Sequence, residues 1–244
     1  NGVQVETQVV DPLTVADRFD VFLKEFEIAE NESKLNINGL FGYTSYESVQ
    51  YFEDVKLSAR NTVPGDMPGL HYVFFKYIIA INHFNNELTI IENLLEGEIS
   101  AIQSIERILE NNNVATYQFE AIGDEKCDIS DEDFKRMVTR GKQECQKGNV
   151  FQIVLSRRFY QQYKGDDFML YRTLRSVNPS PYLFYFNFGD FRIFGSSPEA
   201  HLVVDVKKQK AYIKPIAGTF RRTGDDEKDF QLAEKLDRKS TRLN

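Results

Sequence analysis

The sequence predicts an α+β fold with mostly antiparallel sheets and flanking helices. Short β-prone runs occur in pairs that turn residues separate, and segments with helical spacing of apolar residues lie between these pairs. Aromatic residues are abundant, with 20 Phe and 12 Tyr but no Trp, which favours sheet packing. The 244 residues are enough for one or two domains with a substantial core.

The first half of the chain predicts strands flanked by helices. Phe19, Phe22, Leu23 and Phe26 lie at helical spacing and predict an amphipathic helix over 12–30. Loop residues, rich in Pro and Gly, follow at Asn61–Gly69. The other predicted elements are a strand over Gly39–Tyr43, one long buried strand over His71–Asn82, a turn at Asn85–Asn86, a partner strand over Glu87–Glu92 and a helix over Ile99–Leu109.

The second half predicts two helices and three sets of strands. A domain boundary is expected near Phe119–Cys127, which separates an N-terminal domain, 1–120, from a second domain, 128–244. Ser130 and Asp133 have the spacing of a helix cap, and Gly148 is a typical helix stop. The predicted elements after Gly148 are a strand over Val150–Leu155, a helix over Asp166–Val177, a hairpin over Tyr182–Phe188 and Phe191–Phe194, and a hairpin over His201–Val206 and Tyr212–Ile216.

Composition argues against several classes of function. A net charge of −7 argues against a nucleic-acid surface. No apolar run approaches the roughly 18 residues of a membrane span, and no signal-peptide pattern is visible. Cys127 and Cys145 have neither the spacing of metal ligands nor that of a disulfide framework. We therefore expect a reducing compartment, the cytoplasm.

Four short segments carry polar and small residues of the types found at binding sites. Gly218 would let a ligand approach the backbone, Thr219 offers a hydroxyl, and Arg221 and Arg222 favour anions. On their own, these residues fit an ordinary strand and turn equally well. The four segments are Gly148–Ser156, Asn178–Leu183, Gly195–Glu199 and Pro215–Thr219.

In order and spacing, these four segments resemble the chorismate-utilising enzymes and, within that family, most closely the large component of the anthranilate synthases. Gly39–Tyr43 and Tyr51–Glu53 resemble the amino-terminal domain of the same family. The resemblance implies the layered sandwich fold of that family. It also implies conversion of chorismate and ammonia to anthranilate and pyruvate in tryptophan biosynthesis, with Mg²⁺ and with a partner glutaminase subunit that releases ammonia from glutamine.

The resemblance assigns roles to individual residues. Gly218 and Thr219 match the segment that contacts chorismate, where backbone N–H groups and a hydroxyl meet an anion. Glu199 matches the carboxyl group that assists departure of the C4 hydroxyl, and we expect burial beside Phe194 and Pro198 to raise its pKa. Arg221 and Arg222 match a variable part of the family pattern and are expected to be solvated or structural.

Two positions distinguish reactions within the family. Water-adding relatives carry a lysine base where this chain has Gln152, and glutamine cannot take a proton from water. Aminodeoxychorismate synthases carry a lysine where this chain has Ala217, and alanine cannot attack the ring. The pair favours anthranilate synthase. Aminodeoxychorismate synthase remains the alternative within the family, and a non-catalytic ligand-binding or partner-binding module is the alternative outside it.

Further expectations concern an effector and the metal. Pro181, Tyr182 and Leu183 match a family segment that helps bind tryptophan, the feedback inhibitor, although the family usually has Met at the third position. The family's Leu-Leu-Glu-Ser element for the same ligand is absent. After Leu236 the family continues into a segment with a magnesium-binding glutamate, whereas residues 237–244 depart from that pattern. We therefore expect a truncated chain whose metal ligands lie outside these residues and which has no turnover by itself.

Overall fold

The computed structural model describes residues 11–26, 37–57, 67–111, 113, 115–216 and 221–241. The chain divides into two compact units, Asn1–Val114 and Ala115–Asn244. In the described residues, all strands pair antiparallel in five two-stranded sheets, and helices lie between them in the chain. The α+β prediction is therefore confirmed. The division after Val114 precedes the predicted boundary, and the assignment of functional domains stays a prediction.

The described part of the first unit contains two antiparallel strand pairs and two α-helices. β1 pairs with β2, and β3 pairs with β4. Short 3-10 helices cover Pro12–Thr14 and Tyr46–Tyr51. The main elements are α1 (Val15–Leu23), β1 (Leu40–Thr44), β2 (Leu70–Phe74), β3 (Tyr77–Asn82), β4 (Glu87–Glu92) and α2 (Ile102–Glu110).

The prediction of one strand over His71–Asn82 is wrong, because the run contains parts of two strands that belong to different sheets. The chain leaves β2 at Phe75 and enters β3 after Lys76. Asn93 stabilises this break: its backbone N–H donates to the Lys76 carbonyl at 2.7 Å, and its side-chain Nδ2 donates to the Phe75 carbonyl at 2.7 Å. The apolar run could not show the break, because both strands have the same β-prone composition.

Two other predictions in this unit are confirmed with changed limits. The first helix ends at Leu23, and a turn follows, whereas residues 27–30 of the predicted helix lie outside the described residues. The β3–β4 hairpin is as predicted, and Asn86 has a φ of 56°, a left-handed conformation that Asn tolerates in turns. The predicted Asn61–Gly69 loop lies mostly outside the described residues.

Gly42 in β1 shows why this strand needs a glycine. A Cβ at this position would lie 1.9 Å from the His71 carbonyl oxygen of β2. The two backbones can approach this closely only without a side chain. α1 and the turn after it then pack on the same pair through aromatic contacts. The ring centroids of Phe19 in α1 and Tyr72 are 5.6 Å apart, and those of Phe26 after the turn and Phe74 are also 5.6 Å apart.

Among its described residues, the second unit contains three strand pairs and three α-helices. β5 pairs with β6, β7 with β8, and β9 with β10. The helix α5 was not predicted. The elements are β5 (Phe119–Cys127), α3 (Asp131–Gln146), β6 (Phe159–Gly165), α4 (Asp167–Val177), β7 (Tyr182–Asn187), β8 (Arg192–Ser197), β9 (Val203–Asp205), β10 (Lys210–Tyr212) and α5 (Asp226–Thr241).

The caps of α3 and α4 begin these helices where the sequence predicts. The Ser130 Oγ accepts a hydrogen bond from the Asp133 backbone N–H at 3.1 Å. The Asp166 carboxylate likewise accepts from the Phe168 N–H at 3.0 Å. Each contact satisfies one of the free N–H groups at a helix start. Gly148, the predicted stop, has a φ of 78° just after α3.

The pair β5–β6 contains a bulge that the sequence did not indicate. The register shifts between Ile122 and Lys126, so that three residues of β5 lie opposite one residue of β6. That residue, Gln161, donates its side-chain amide to the Ile122 carbonyl at 2.9 Å. The side chain thereby replaces a backbone donor that the bulge removes from the ladder.

Packing in the second unit relies on half-buried aromatic residues. None of the described hydrophobic side chains is fully buried. α4 lies against β7–β8, where the ring of Tyr185 is 5.1 Å from Phe168 and 5.7 Å from Phe194. Gly195 accommodates this hairpin's other face, since a Cβ there would lie 2.7 Å from the Phe184 ring. These contacts fix the two strands that precede the candidate site.

Candidate functional site

Glu199 contacts the segment that carries the predicted chorismate-binding residues. It follows β8, and its Oε1 accepts a hydrogen bond from the Ile216 backbone N–H at 3.1 Å. Ser197 shapes the turn between them, because its Oγ accepts from the Glu199 N–H at 3.3 Å and donates to the Glu199 carbonyl at 3.1 Å. The Gly195–Glu199 and Pro215–Thr219 segments therefore meet at this carboxylate.

The burial that we expected around Glu199 is not found. Its side chain is exposed, and so is Pro198 next to it. Phe194, the other expected neighbour, instead packs against Tyr185 under α4. Phe194 lies within β8 and contacts Tyr171 of α4, whereas Pro198 and Glu199 lie beyond the end of the strand, so closeness along the chain does not bring these side chains together. The exposed carboxylate is accessible to a ligand.

The Asn178–Leu183 segment is fixed to the Gly195–Glu199 segment. Ser196 Oγ donates to the Asn178 carbonyl at 2.6 Å. In the β7–β8 ladder, Tyr182 pairs with Ser197 and Leu183 pairs with Ser196. Pro181 and Tyr182 are exposed, and Leu183 is half-buried. Hydrogen bonds thus join Asn178–Leu183 to Gly195–Glu199, and Gly195–Glu199 to Ile216 at the described start of the fourth segment. The role of Pro181, Tyr182 and Leu183 in tryptophan binding stays a prediction.

Gln152 lies on a segment that is not a strand, so the prediction of a strand over Val150–Leu155 is wrong. β6 begins only at Phe159. Val150 to Arg157 form no backbone–backbone hydrogen bond with another described residue. Ile153 and Leu155 instead contact α3, whereas Phe151 and Val154 are largely exposed. The composition of a short apolar run could not distinguish this arrangement from burial in a sheet. In the described part of the chain, no hydrogen bond or ion pair joins Gln152 to Glu199.

Gly218 and Thr219, the predicted chorismate contacts, lie outside the described residues, as does Ala217. The described chain resumes at Arg221. Arg222 lies 3.4 Å from the Asp229 carboxylate and is highly exposed. Asp229 also accepts from the Thr223 N–H at 2.7 Å and from its hydroxyl at 2.8 Å. These hydrogen bonds hold the pKa of Asp229 below its ordinary value. Arg222 thus helps to fix the start of α5, as expected for a structural arginine.

A buried carboxylate at Asp167 was missed by the sequence analysis. Its oxygens accept from the Tyr163 hydroxyl at 2.9 Å and from the Tyr185 hydroxyl at 2.5 Å, and Arg192 lies 3.5 Å away. Burial, together with the hydrogen bond to Asp167, raises the pKa of Tyr185 to about 12. The pair Asp166–Asp167 at a helix start is typical of capping, so no pattern in the sequence shows that only the second aspartate turns inward.

Two features of the described residues bear on cofactor and membrane questions. They present no group of three or more His, Cys, Asp or Glu side chains that could hold a metal ion. The described residues alone therefore do not supply a ligand set for the magnesium that the resemblance implies. The described helices are also too short or too polar to cross a membrane.

Comparison with known protein families matches residues 3–240 to the family described as chorismate binding enzyme. This match covers nearly the whole chain. The chain belongs to the chorismate-binding enzyme family. The prediction from the four segments is therefore confirmed at the level of the family, and the candidate site lies within the matched residues.

Several similar proteins are anthranilate synthases. The chain is 34% identical to anthranilate synthase component 1 of Acetivibrio thermocellus, over 81% of this chain and 43% of the relative. It is 30% identical to the protein of the same name from Buchnera aphidicola, over 88% of this chain and 42% of the relative. The chain thus spans less than half of the length of these relatives.

A solved structure shows the same fold. The crystal structure of anthranilate synthase component I from Streptococcus pneumoniae TIGR4 aligns with a TM-score of 0.60 and 26% sequence identity. The alignment covers 81% of this chain and 46% of that chain.

Proposed function

We propose that this chain forms the first part of an anthranilate synthase large component and binds chorismate. The observation that carries the proposal is the hydrogen bond between Glu199 and the Ile216 N–H, because it brings the predicted acid beside the predicted substrate segment. In the proposed reaction, ammonia enters at C2 of chorismate, the C4 hydroxyl leaves, and elimination of pyruvate gives anthranilate.

The proposed roles follow from the chemistry of each side chain. The exposed Glu199 carboxyl group would lie against the C4 hydroxyl and give it a proton as it leaves. Gly218 and Thr219 would bind the anionic substrate through backbone N–H groups and a hydroxyl. Gln152 offers an amide where a water-adding enzyme needs a base, and Ala217 offers no amine, which together support ammonia as the nucleophile.

The proposal extends to partners and context. A glutaminase subunit would supply ammonia, L-tryptophan would bind at Pro181, Tyr182 and Leu183 as a feedback inhibitor, and Mg²⁺ would bind chorismate through ligands that the described residues do not supply. The place in tryptophan biosynthesis and the cytoplasmic location likewise stay predictions. We expect the 244-residue chain to bind chorismate without turnover.

Calorimetric titration of the 244-residue chain with chorismate tests this function. We expect saturable binding, which Glu199→Ala weakens by about fivefold to tenfold, because the hydrogen bond to the C4 hydroxyl is lost. Glu120→Ala is the matched control, since it removes an exposed carboxylate on β5. The proposal fails if chorismate gives no saturable binding, or if both variants bind it like the parent.

Two further measurements distinguish the alternatives. Anthranilate fluorescence after addition of chorismate, ammonia and Mg²⁺ to the purified chain would contradict the expected lack of turnover. Binding of tryptophan or of a glutaminase subunit in the absence of any chorismate binding would instead support the non-catalytic module.

A further inference from the structure

The segment that carries Gln152 is held by helix α3 and not by a sheet. Gly141 is buried in the middle of α3, and a Cβ added there would lie 3.4 Å from Ile153 Cγ2 and 3.5 Å from Leu155 Cδ1. The side chains of Ile153 and Leu155 therefore rest on bare helix backbone. The same face of α3 is continued by Phe134, Val138 and Cys145, which recur at helical spacing.

An extended segment places successive side chains on opposite sides. Ile153 and Leu155 contact α3, although Ile153 remains 46% exposed, and Arg157 follows in the same phase with a side chain that is 19% exposed. Phe151, earlier in this phase, is 86% exposed, so the covered side of the segment runs only from Ile153 to Arg157. Gln152 and Ser156 have the opposite phase and are exposed, and so is Val154, which is 84% exposed. A shift of one residue along α3 would exchange the two sets and turn Gln152 towards the helix.

Arg157 fixes the C-terminal end of this segment. Its Nη1 lies 2.5 Å from the Asp131 carboxylate in the first turn of α3. Its guanidinium carbon is 5.1 Å from the centre of the Phe134 ring and 4.5 Å from that of Phe159. A planar cation held by two rings and one carboxylate has few alternative positions. The next residue adds a backbone contact, because Arg158 N–H donates to the Asp128 carboxylate at 2.9 Å.

We propose that Gly141 and Arg157 are positioning residues that set the register of the Val150–Arg157 segment, so that Gln152 faces away from α3 and towards the substrate. Gly141 supplies the surface on which Ile153 and Leu155 seat, and Arg157 fixes where the segment ends. The substrate side of this inference rests on the proposed function, whereas the register itself does not.

Cysteine labelling measures the register directly in the 244-residue chain. In a background in which both native cysteines are replaced by serine, a single Val154→Cys or Leu155→Cys change reports the two sides of the segment. Thiol reactivity follows exposure, so we expect Val154→Cys to react about fivefold faster than Leu155→Cys. Equal rates at the two positions would overturn the inference.

Arg157→Gln, added to each reporter, is expected to reduce this ratio to about one, because the end of the segment is released. Arg136→Gln is the matched control: it removes a guanidinium from α3 that pairs with Asp133 and leaves the Gln152 segment untouched. Arg157→Lys retains the charge but not the planar group, so an intermediate ratio is expected. An unchanged ratio in Arg157→Gln, or an equal loss in Arg136→Gln, would overturn the role of Arg157.

Gly141 gives a second test that does not depend on Arg157. Gly141→Ala should keep the ratio because its Cβ only reaches van der Waals contact, whereas Gly141→Leu should abolish it. A ratio that survives Gly141→Leu would overturn the role of Gly141. Chorismate titration of the same variants is read separately: a parent chain that does not bind chorismate refutes the proposed function, while the labelling ratio still decides the register.

Discussion

Replacement of Asp167 is expected to be among the most damaging single changes in the second unit. Its side chain is only 11% exposed, and two phenol hydroxyls donate to it. A hydrogen bond to a charged group contributes about 1.5–3 kcal/mol. The ion pair with Arg192 adds little, because that side chain is 38% exposed and the separation is 3.5 Å.

From these contacts, Asp167→Ala should lower the free energy of unfolding by about 3–4 kcal/mol, because two half-buried phenols lose their acceptor. Asp167→Asn keeps one acceptor oxygen and should cost about 2 kcal/mol. With a typical urea dependence, the Asn variant should shift the unfolding midpoint by about 1 M. Asp190→Asn, in the exposed turn after β7, is the control and should change stability by less than about 0.5 kcal/mol.

Because of Tyr185 in the same cluster, the free energy of unfolding should depend on pH. Its folded pKa of about 12 exceeds the ordinary value of 10.0. The folded state therefore holds the phenol proton more tightly than the unfolded state does, and this stabilisation is present below pH 10 and lost as pH rises through about 12. Tyr185→Phe should remove this part of the pH dependence, whereas Tyr117→Phe, which alters an exposed tyrosine, should not. If Asp167→Asn unfolds at the parent's urea midpoint, the stabilisation assigned to the hydrogen bonds of Asp167 is refuted.

The other predictions concern backbone fit and helix caps. Gly42→Ala should destabilise the first unit by about 2 kcal/mol or more in urea unfolding, because its Cβ would meet the His71 carbonyl. Gly141→Ala makes the same change in a helix with room for a methyl group and should be neutral or stabilise by up to about 1 kcal/mol. A loss of stability in Gly141→Ala comparable to that in Gly42→Ala would contradict the steric explanation. Ser130→Ala should cost about 1 kcal/mol through loss of the α3 cap, seen as a lower melting temperature, and Ser176→Ala near the end of α4 should match the parent. Equal effects of the two serine changes would show that the cap contributes nothing specific.

The elements that the sequence predicts well are those with local signals. Ser130, Asp166 and Gly148 mark helix ends by their own chemistry, and the Asn86 turn joins two clearly β-prone runs. β5 and β6 were missed because their many polar residues lack the apolar alternation of a half-buried strand. Their pairing comes from contacts between residues about 40 positions apart, which no local pattern contains.

The candidate site shows the same limit. The order of the four segments was enough to predict the family. The structure adds the hydrogen bond from the Ile216 N–H to Glu199, while the role of Glu199 stays a prediction. The surroundings of Glu199 were not predictable, because burial depends on which face of β8 packs under α4. Gln152 was placed in a strand because Val150–Leu155 is mostly apolar. In the structure, Ile153 and Leu155 of this run instead contact Gly141 of α3.

The five separate strand pairs have a consequence for how this chain behaves with other polypeptides. Within the described residues, each strand pairs with one other strand only, so its second edge offers a row of backbone groups outside any described ladder. Any extended peptide of suitable length can add to such a row, and an identical chain is always at hand. Self-association by strand addition should therefore increase with protein concentration, and added peptides that occupy these rows should suppress it.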